Sequence, residues 1–384
     1  MRPSFPISRF LRFFPVLFFF CLSGFCWAQR QVEKPYWFFL EQGKRYFRDG
    51  EYGEALNFFE DARRRRLSMY ARMERDMIDL LSISEVRRLG DDLEQVERYI
   101  TDRHYVAAAA ALEELYYRMP RESLGNSARR ALDQFDRLKN YPEAEYWIGE
   151  IYRLEGEFPA ALSQYQKALS QRSLLETPEF AVEILYKMAD IYRLRQEYVE
   201  MEQRLLEIIE GAGPDGRPRN VLWSQEFVRT AMMRTLGNNG VDRFLTLYRF
   251  YNPLVERAHR LLGNFYYASG RHGPAAEHLL FAFLIQNSLI IDEVLKNTYD
   301  FTFTTLDKLM NELNRRPSLL AYLGEVEYYK TLYYLGSALY GINRLNPARE
   351  LWTFVGSRPD AGEWRNRSAL QLRRPFVERA VEMP

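Results

Sequence analysis

Residues 146–169, "YWIGEIYRLEGEFPAALSQYQKAL", hold a glycine, an alanine and a series of aromatics at regular spacing. Gly149 stands 12 residues before Ala161, and the same step recurs as Gly43/Ala55, Val96/Ala108, Ala189/Met201, Gly263/Ala275 and Gly336/Ala348. Large or apolar residues follow each second member four and seven positions on: Phe59 and Ala62, Leu112 and Leu115, Tyr165 and Ala168, Leu205 and Ile208, Leu279 and Ala282, Trp352 and Val355. Those intervals trace one face of a helix.

Three residues after each first member comes another large side chain: Tyr46, Tyr99, Tyr152, Tyr192, Tyr266 and Leu339. Between the two halves lies a breaker, read as "RDGEY", "TDRHY", "LEGEF", "LRQEY", "ASGRHG" and "GINRLN". Glycine or a polar residue there lets one helix stop and the next begin. The unit is therefore helix, tight turn, helix, with small paired residues letting the backbones approach and aromatics filling the space around them.

These units resemble tetratricopeptide repeats, best at 142–175 and 256–289 and strongly at 36–69 ("QGKRYFRDGEYGEALNFFEDA"), with Pro120 where a closing proline belongs in 89–122. Met201 departs from the pattern, and looser packing is expected there. The resemblance implies an all-α, right-handed solenoid of helix-turn-helix repeats. Extra helices are expected at 68–88 and at 122–140, where Ala131, Phe135 and Leu138 share a face, and a helical insertion after 285. A decayed repeat is expected at 221–250, its two helices joined by "GNNG", and a capping helix at 361–382. "GAGPDGRPRN" at 211–220 reads as a linker between an array at 29–210 and a second at 221–384.

The chain has 384 residues, 47% hydrophobic and 15% aromatic, enough for a large core. Its first 28 residues form a distinct segment, with Arg2, Arg9 and Arg12 ahead of the short apolar run "FFPVLFFFCLSGF" and Ala28 before Gln29. That is the layout of a secretory signal peptide cleaved after Ala28. Two alternatives stay open: a lipoprotein anchored through Cys26, and an uncleaved anchor, which Pro15 interrupts. Cys21 and Cys26 both lie in this segment, so the cleaved chain has no disulfide, thiolate nucleophile or cysteine metal site. Without those three arginines the 53 basic residues fall to 50 against 52 acidic, a net charge of −2 that does not favour nucleic acid. Periplasmic localisation follows as an expectation.

His272 and His278 are six apart, where metal pairs on a helix sit four apart, and read as surface histidines. No GxSxG or Gly-Lys-Ser/Thr occurs, and the acids read as exposed, so neither an enzyme nor a cofactor is expected. "ARRRR", Ala62–Arg66, reads as a solvated helix end, or as a contact for an acidic partner or headgroups.

The resemblance places binding on the first helix of each repeat. In the third unit that stripe is Glu143, Tyr146, Glu150, Arg153 and Leu154, and the fourth repeats it as Glu183, Tyr186, Asp190, Arg193 and Leu194. Spacings of three, four and three hold these on one face. Either it is a groove where the tyrosines stack on a ligand and the arginines hold a carboxylate or carbonyl, or it is duplicated architecture with internal ion pairing. A weaker patch is Arg257, Arg260, Asn264 and Tyr267, with Arg260 and Asn264 as half of a carboxylate clamp whose counterpart position holds Ser337. The expected function is a non-enzymatic scaffold holding a segment of another envelope protein. The alternative is an accessory subunit of a transport system enclosing a small apolar molecule.

Overall fold

The computed structural model describes residues 34–80, 94–118, 137–177, 179–211, 221–298 and 300–378. The signal segment, Cys26, Pro120, Ala131, Phe135 and most of 211–220 lie outside them. Among the described residues the fold is all-α. Its helices are α1 (Tyr36–Arg48), α2 (Tyr52–Leu80), α3 (Glu94–Thr101), α4 (Tyr105–Arg118), α5 (Pro142–Leu154) and α6 (Phe158–Ser170). Then come α7 (Phe180–Leu194), α8 (Tyr198–Glu210), α9 (Val221–Ser224), α10 (Glu226–Leu247), α11 (Pro253–Ala268) and α12 (His272–Asn297). The last five are α13 (Leu306–Leu313), α14 (Pro317–Glu325), α15 (Tyr328–Gly341), α16 (Leu345–Gly356) and α17 (Glu363–Arg373).

All six 12-residue steps fall on helical hairpins with one turn geometry. Seven residues after each first member the backbone is left-handed: Gly50, Arg103, Gly156, Gln196, Gly270 and Asn343, with φ between +58° and +82°. The next amide returns to the carbonyl five residues back, as in Glu51 to Tyr46, His104 to Tyr99, Glu157 to Tyr152, Glu197 to Tyr192, Arg271 to Tyr266 and Arg344 to Leu339, all at 2.8–2.9 Å. This is the Schellman closure, which satisfies carbonyls the helix end would leave open. Met201 is buried and its amide makes the same bond to Glu197 as the alanines make elsewhere, so the turn is not loosened there.

The first member packs on the residue 16 further on. A Cβ at Gly43 would lie 2.5 Å from the Phe59 ring, at Gly263 2.5 Å from Leu279 Cγ, and at Gly336 2.8 Å from Trp352 Nε1. Phe59, Leu279 and Trp352 are fully buried.

The chain forms two compact units, residues 1–151 and 152–384, dividing within α5 rather than at 211–220. The reason is that α8 packs directly on α11 across that loop, where Glu202 accepts from the Tyr266 hydroxyl (2.7 Å) and pairs with Arg271 (3.0 Å).

In the first unit α1 packs on α2, α3 on α4 and α2 on α4. The extra helix expected at 68–88 is the continuation of α2, which runs unbroken to Leu80, so "ARRRR" is mid-helix and not a helix end. The run is absorbed by the fold. Arg66 is buried, donates from Nε to the Leu138 carbonyl (2.9 Å) and lies over the rings of Tyr36, Tyr70 and Tyr141 at 4.5–5.7 Å. Arg63 pairs with Glu145 (3.2 Å), Arg64 with Asp61, and Arg65 covers the Phe39 ring.

In the second unit the hairpins α7/α8, α11/α12 and α15/α16 stack in sequence order, with α10 on α16 and α17 closing on α16. The decayed repeat is α10, broken where expected, at Gly240 (φ +79°, ψ 175°). The insertion after 285 is the long tail of α12, a non-helical stretch, then α13 and α14. The stretch His272–Lys296 is long and apolar enough to cross a bilayer, yet most of it is buried inside the protein. Its middle carries three buried polar residues. Gln286 donates to Glu256 (2.7 Å), Asn287 accepts from the Tyr328 hydroxyl (3.0 Å), and Ser288 accepts from the Phe250 amide (3.0 Å). The capping helix is shorter than expected, ending at Arg373, with an extended segment after it.

The turn and the close approach separate by substitution. Gly263→Ala must displace Leu279, including its backbone nitrogen at 3.1 Å, and loses about 1–3 kcal/mol. Gly156→Ala meets open space and loses about 1 kcal/mol through its positive φ alone, while Gln196→Gly gains about 0.5 kcal/mol. Denaturant unfolding of the three variants measures this order.

Candidate functional site

The duplicated stripe is only partly open. Glu143, Tyr146 and Glu150 are buried in α5, whereas Arg153 is half-buried and Leu154 exposed. In the fourth hairpin Glu183, Asp190 and Arg193 are half-buried, and Leu194 is exposed. Tyr186 is buried, and its hydroxyl donates to the Leu254 carbonyl (2.8 Å) and accepts from the Ala258 amide (3.0 Å). Arg257 covers its ring at 4.7 Å and pairs with Asp190 (3.0 Å). Tyr186 and Asp190 thus fasten α7 to the start of α11, and Tyr186 offers no free face for stacking. Burial drives the Tyr186 hydroxyl well above the usual phenol range, so it stays protonated and donating. Glu183 pairs with Lys187 (3.4 Å), its neighbour one turn on.

The half-clamp of Arg260 and Asn264 is also built into the fold. Arg260 is buried, bonded through Nε to Glu256 (3.2 Å) and through Nη1 to Glu327, and Lys330 reaches Glu327 at 2.8 Å. Gln286 completes the cluster through Glu256 and the Val326 carbonyl (3.1 Å). Burial raises the Glu256 carboxyl. At Glu327 burial acts in the same direction but Lys330 and Arg260 outweigh it, so its carboxyl is lowered. Asn264 is buried with its Oδ1 unbonded, and Ser337 donates to the Tyr333 carbonyl (3.0 Å). Arg260 is saturated by its own helix and Glu327, which leaves no open guanidinium for an incoming carboxylate.

Not all acids are exposed: Glu143, Glu145, Glu150 and Glu256 are buried. Burial also raises Asp242 and Glu350, the latter further through Asp242. Both line a solvent-open cavity of about 380 Å³ with Asp307. Each also accepts a backbone amide at a helix start, Asp242 from Leu306 (2.8 Å) and Glu350 from Val241 (3.0 Å). They are capping groups for α13 and for the second half of α10.

The histidines differ from expectation. His278 is buried, not on the surface, and its Nδ1 lies 3.1 Å from Nδ1 of His259 on α11. One ring donates and the other accepts, an arrangement that requires both to be neutral. Trp223, Phe281 and Tyr266 enclose the pair. His272 is half-buried beside Tyr267. Among the described residues no group of three or more His, Cys, Asp or Glu is placed to hold a metal ion.

The last two hairpins hold an extended segment of the chain on the same stripe. Tyr333 stands three residues before Gly336, the register of Tyr146 and Tyr186, and Tyr267 stands four after Gly263, the register of Arg153 and Arg193. Residues 375–378 run back across these positions without helical structure. The Tyr333 hydroxyl and Arg367 Nη2 (2.6 Å) both donate to the Glu378 carboxylate, and the Glu378 amide donates to the Tyr267 hydroxyl (3.4 Å). Gln371 accepts from the Phe376 amide (3.0 Å), and Tyr340 donates to the Pro375 carbonyl (3.4 Å). Arg367 is stacked among Tyr333, Tyr334 and Trp364 at 4.6–5.7 Å. Burial lifts the Tyr333 hydroxyl to about 12, reinforced by Glu378.

No model of a known protein family matches the chain. It is similar to an uncharacterized protein of Treponema pallidum (strain Nichols), 25% identical over 88% of this chain and 89% of the relative. It is also similar to an uncharacterized protein of Borreliella burgdorferi (strain ATCC 35210 / DSM 4680 / CIP 102532 / B31), 22% identical over 56% of this chain and 72% of the relative.

The 12-residue step leads the eye to the hairpins. The histidine pair and the tail contacts carry no sequence period, and only the dense aromatics of "YYKTLYYLGSALY" mark the receiving surface.

Two measurements follow. Tyr186→Phe strips a bond from the Ala258 amide and the Leu254 carbonyl and loses about 1–2 kcal/mol of stability in denaturant unfolding. Burial depresses His259, and depresses His278 to about 3, aided by Arg229 and Arg271. Their contribution is therefore full above the unfolded value of about 6.5 and is lost as pH falls below it, because the unfolded chain binds the extra protons. Unfolding free energy falls with pH by up to about 1.4 kcal/mol per unit per histidine, and the double variant His259→Leu, His278→Leu removes that slope.

Proposed function

We propose that this protein is a non-enzymatic interaction scaffold of tetratricopeptide type, each unit a stretch of solenoid whose first helices hold an extended segment of another protein. The observation that carries the reading is the seat of Glu378. Tyr333 and Tyr267, at the stripe registers of the last two hairpins, bind an extended peptide through its side chain and its backbone amide together. Recognition that takes both is how extended segments are bound with specificity. The stripe of the third and fourth hairpins presents half-buried Arg153 and Arg193 with exposed Leu154 and Leu194 beside them. Arginine beside apolar surface is the composition of protein interfaces.

The export reading rests on the arginines and apolar run of residues 1–28, which place the scaffold in the periplasm or, through Cys26, on the membrane as a lipoprotein. The ligand-carrier alternative calls for a closed apolar chamber. The cavities of about 380 and 430 Å³ in the second unit are open and carry Asp242, Asp307 and Glu350 in one and Arg349 in the other, which favours the scaffold.

In-cell crosslinking of the full chain is compared with the variant Arg153→Glu, Arg193→Glu, which leaves Tyr186 and the core untouched. A specific envelope protein captured by the native chain and lost from the folded variant is the expected result. The same captures from both chains would remove the stripe of the third and fourth hairpins from the function.

A further inference from the structure

The tail contact deepens the scaffold reading, and rests on it, because it identifies the chemistry of an occupant. Glu378 is held at three points drawn from three helices: Arg367 of α17, Tyr333 of α15 and Tyr267 of α11. Its side chain is 12% exposed. Arg367 meets it already flattened against Tyr333, Tyr334 and Trp364, so little side-chain freedom is lost when a carboxylate arrives. The pocket is thus prepared for an acidic side chain whose own backbone is extended.

The rest of the tail is held lightly. Phe376, its one large aromatic, is 39% exposed, and Pro375 and Val377 only edge the open cavity of about 430 Å³ beside Tyr340 and Trp352. The segment is fixed chiefly by polar bonds to Gln371, Tyr340 and the Glu378 pocket, contacts that water and other peptides can replace at small net cost. Five residues separate Arg373, the end of α17, from Glu378, a tether that supplies the carboxylate at an effective concentration on the order of millimolar.

We propose that the pocket formed by Tyr267, Tyr333 and Arg367 is a docking site for an acidic residue on an extended segment of a partner protein, and that residues 375–378 occupy it in cis until such a segment displaces them. Docking at this end of the array is then gated by the chain's own tail, and a partner must present a glutamate or aspartate in extended backbone to open it.

The test uses full-length protein and a fluorescein-labelled peptide of residues 374–384, with a second peptide in which the glutamate is glutamine. The full chain carrying Glu378→Arg loses its plug and binds the glutamate peptide at least about 10-fold more tightly than the native chain does, as the tether predicts. The glutamine peptide binds that variant at least about 10-fold more weakly. Adding Arg367→Gln abolishes the difference between the peptides. A variant with native helical signal that fails to bind, or that binds both peptides equally, overturns the proposal. Hydrogen exchange on the unmodified chain decides the matter if the variant does not fold. The amides of Phe376 and Glu378 exchange through local opening at least about 100-fold faster than the interior of α15. Exchange of the tail only at the rate of global unfolding makes it a fixed part of the fold and overturns the proposal. Capture that survives in cells while the peptide fails strikes the pocket alone; peptide binding with no capture strikes the stripe of the third and fourth hairpins alone.

Discussion

One closure supports the rest of the structure: a single left-handed residue, seven positions after the small residue of each first helix, that turns the chain sharply enough for two helices to touch. The following amide reaches back to the carbonyl five residues earlier in all six hairpins, within 0.1 Å of the same length. With the turn fixed, the first helix must pass its partner at the level of the small residue. That is why Gly43, Gly263 and Gly336 lie against Phe59, Leu279 and Trp352 with no room for a methyl group. Three hairpins reach the left-handed region with glycine and three with Arg103, Gln196 and Asn343, so the array accepts local strain to keep the geometry constant.

Constant hairpins make the differences between them informative. A tyrosine three residues before the small position fastens α7 to the backbone of α11 in one hairpin and seats Glu378 in another. In both it binds chain that lies beyond its own hairpin. The register is a general means of holding backbone or carboxylate, used for internal packing where the next hairpin follows directly and for the tail where the array ends.

What was legible in the sequence follows from distance along the chain. A hairpin is a local object whose spacing recurs within 20 residues, so the helices, the break at Gly240 and the close approaches could be read from single letters. "ARRRR" was misread because nothing local says that α2 continues past it, and its neighbours Tyr36, Leu138 and Tyr141 come from elsewhere in the chain. Arg260 looked free because Glu327, its second carboxylate, is 67 residues away. His278 looked exposed because its partner His259 belongs to the preceding helix, and the tail looked like a helix end because Tyr267 is 111 residues upstream of Glu378. Pairings of this kind are set by how hairpins stack and carry no period.

The polar trio in the middle of α12 has a consequence outside the folded state. Gln286, Asn287 and Ser288 interrupt a stretch that is otherwise apolar enough to span a bilayer. In the native protein they bond to Glu256, Tyr328 and Phe250. A chain threaded unfolded through a translocation channel has none of those partners, and this stretch competes for entry into lipid on its composition alone. Three adjacent amide and hydroxyl side chains at its centre raise the cost of that entry. The residues that order the core would then also act as a passport, letting the most hydrophobic helix of an exported chain cross the membrane instead of stopping in it.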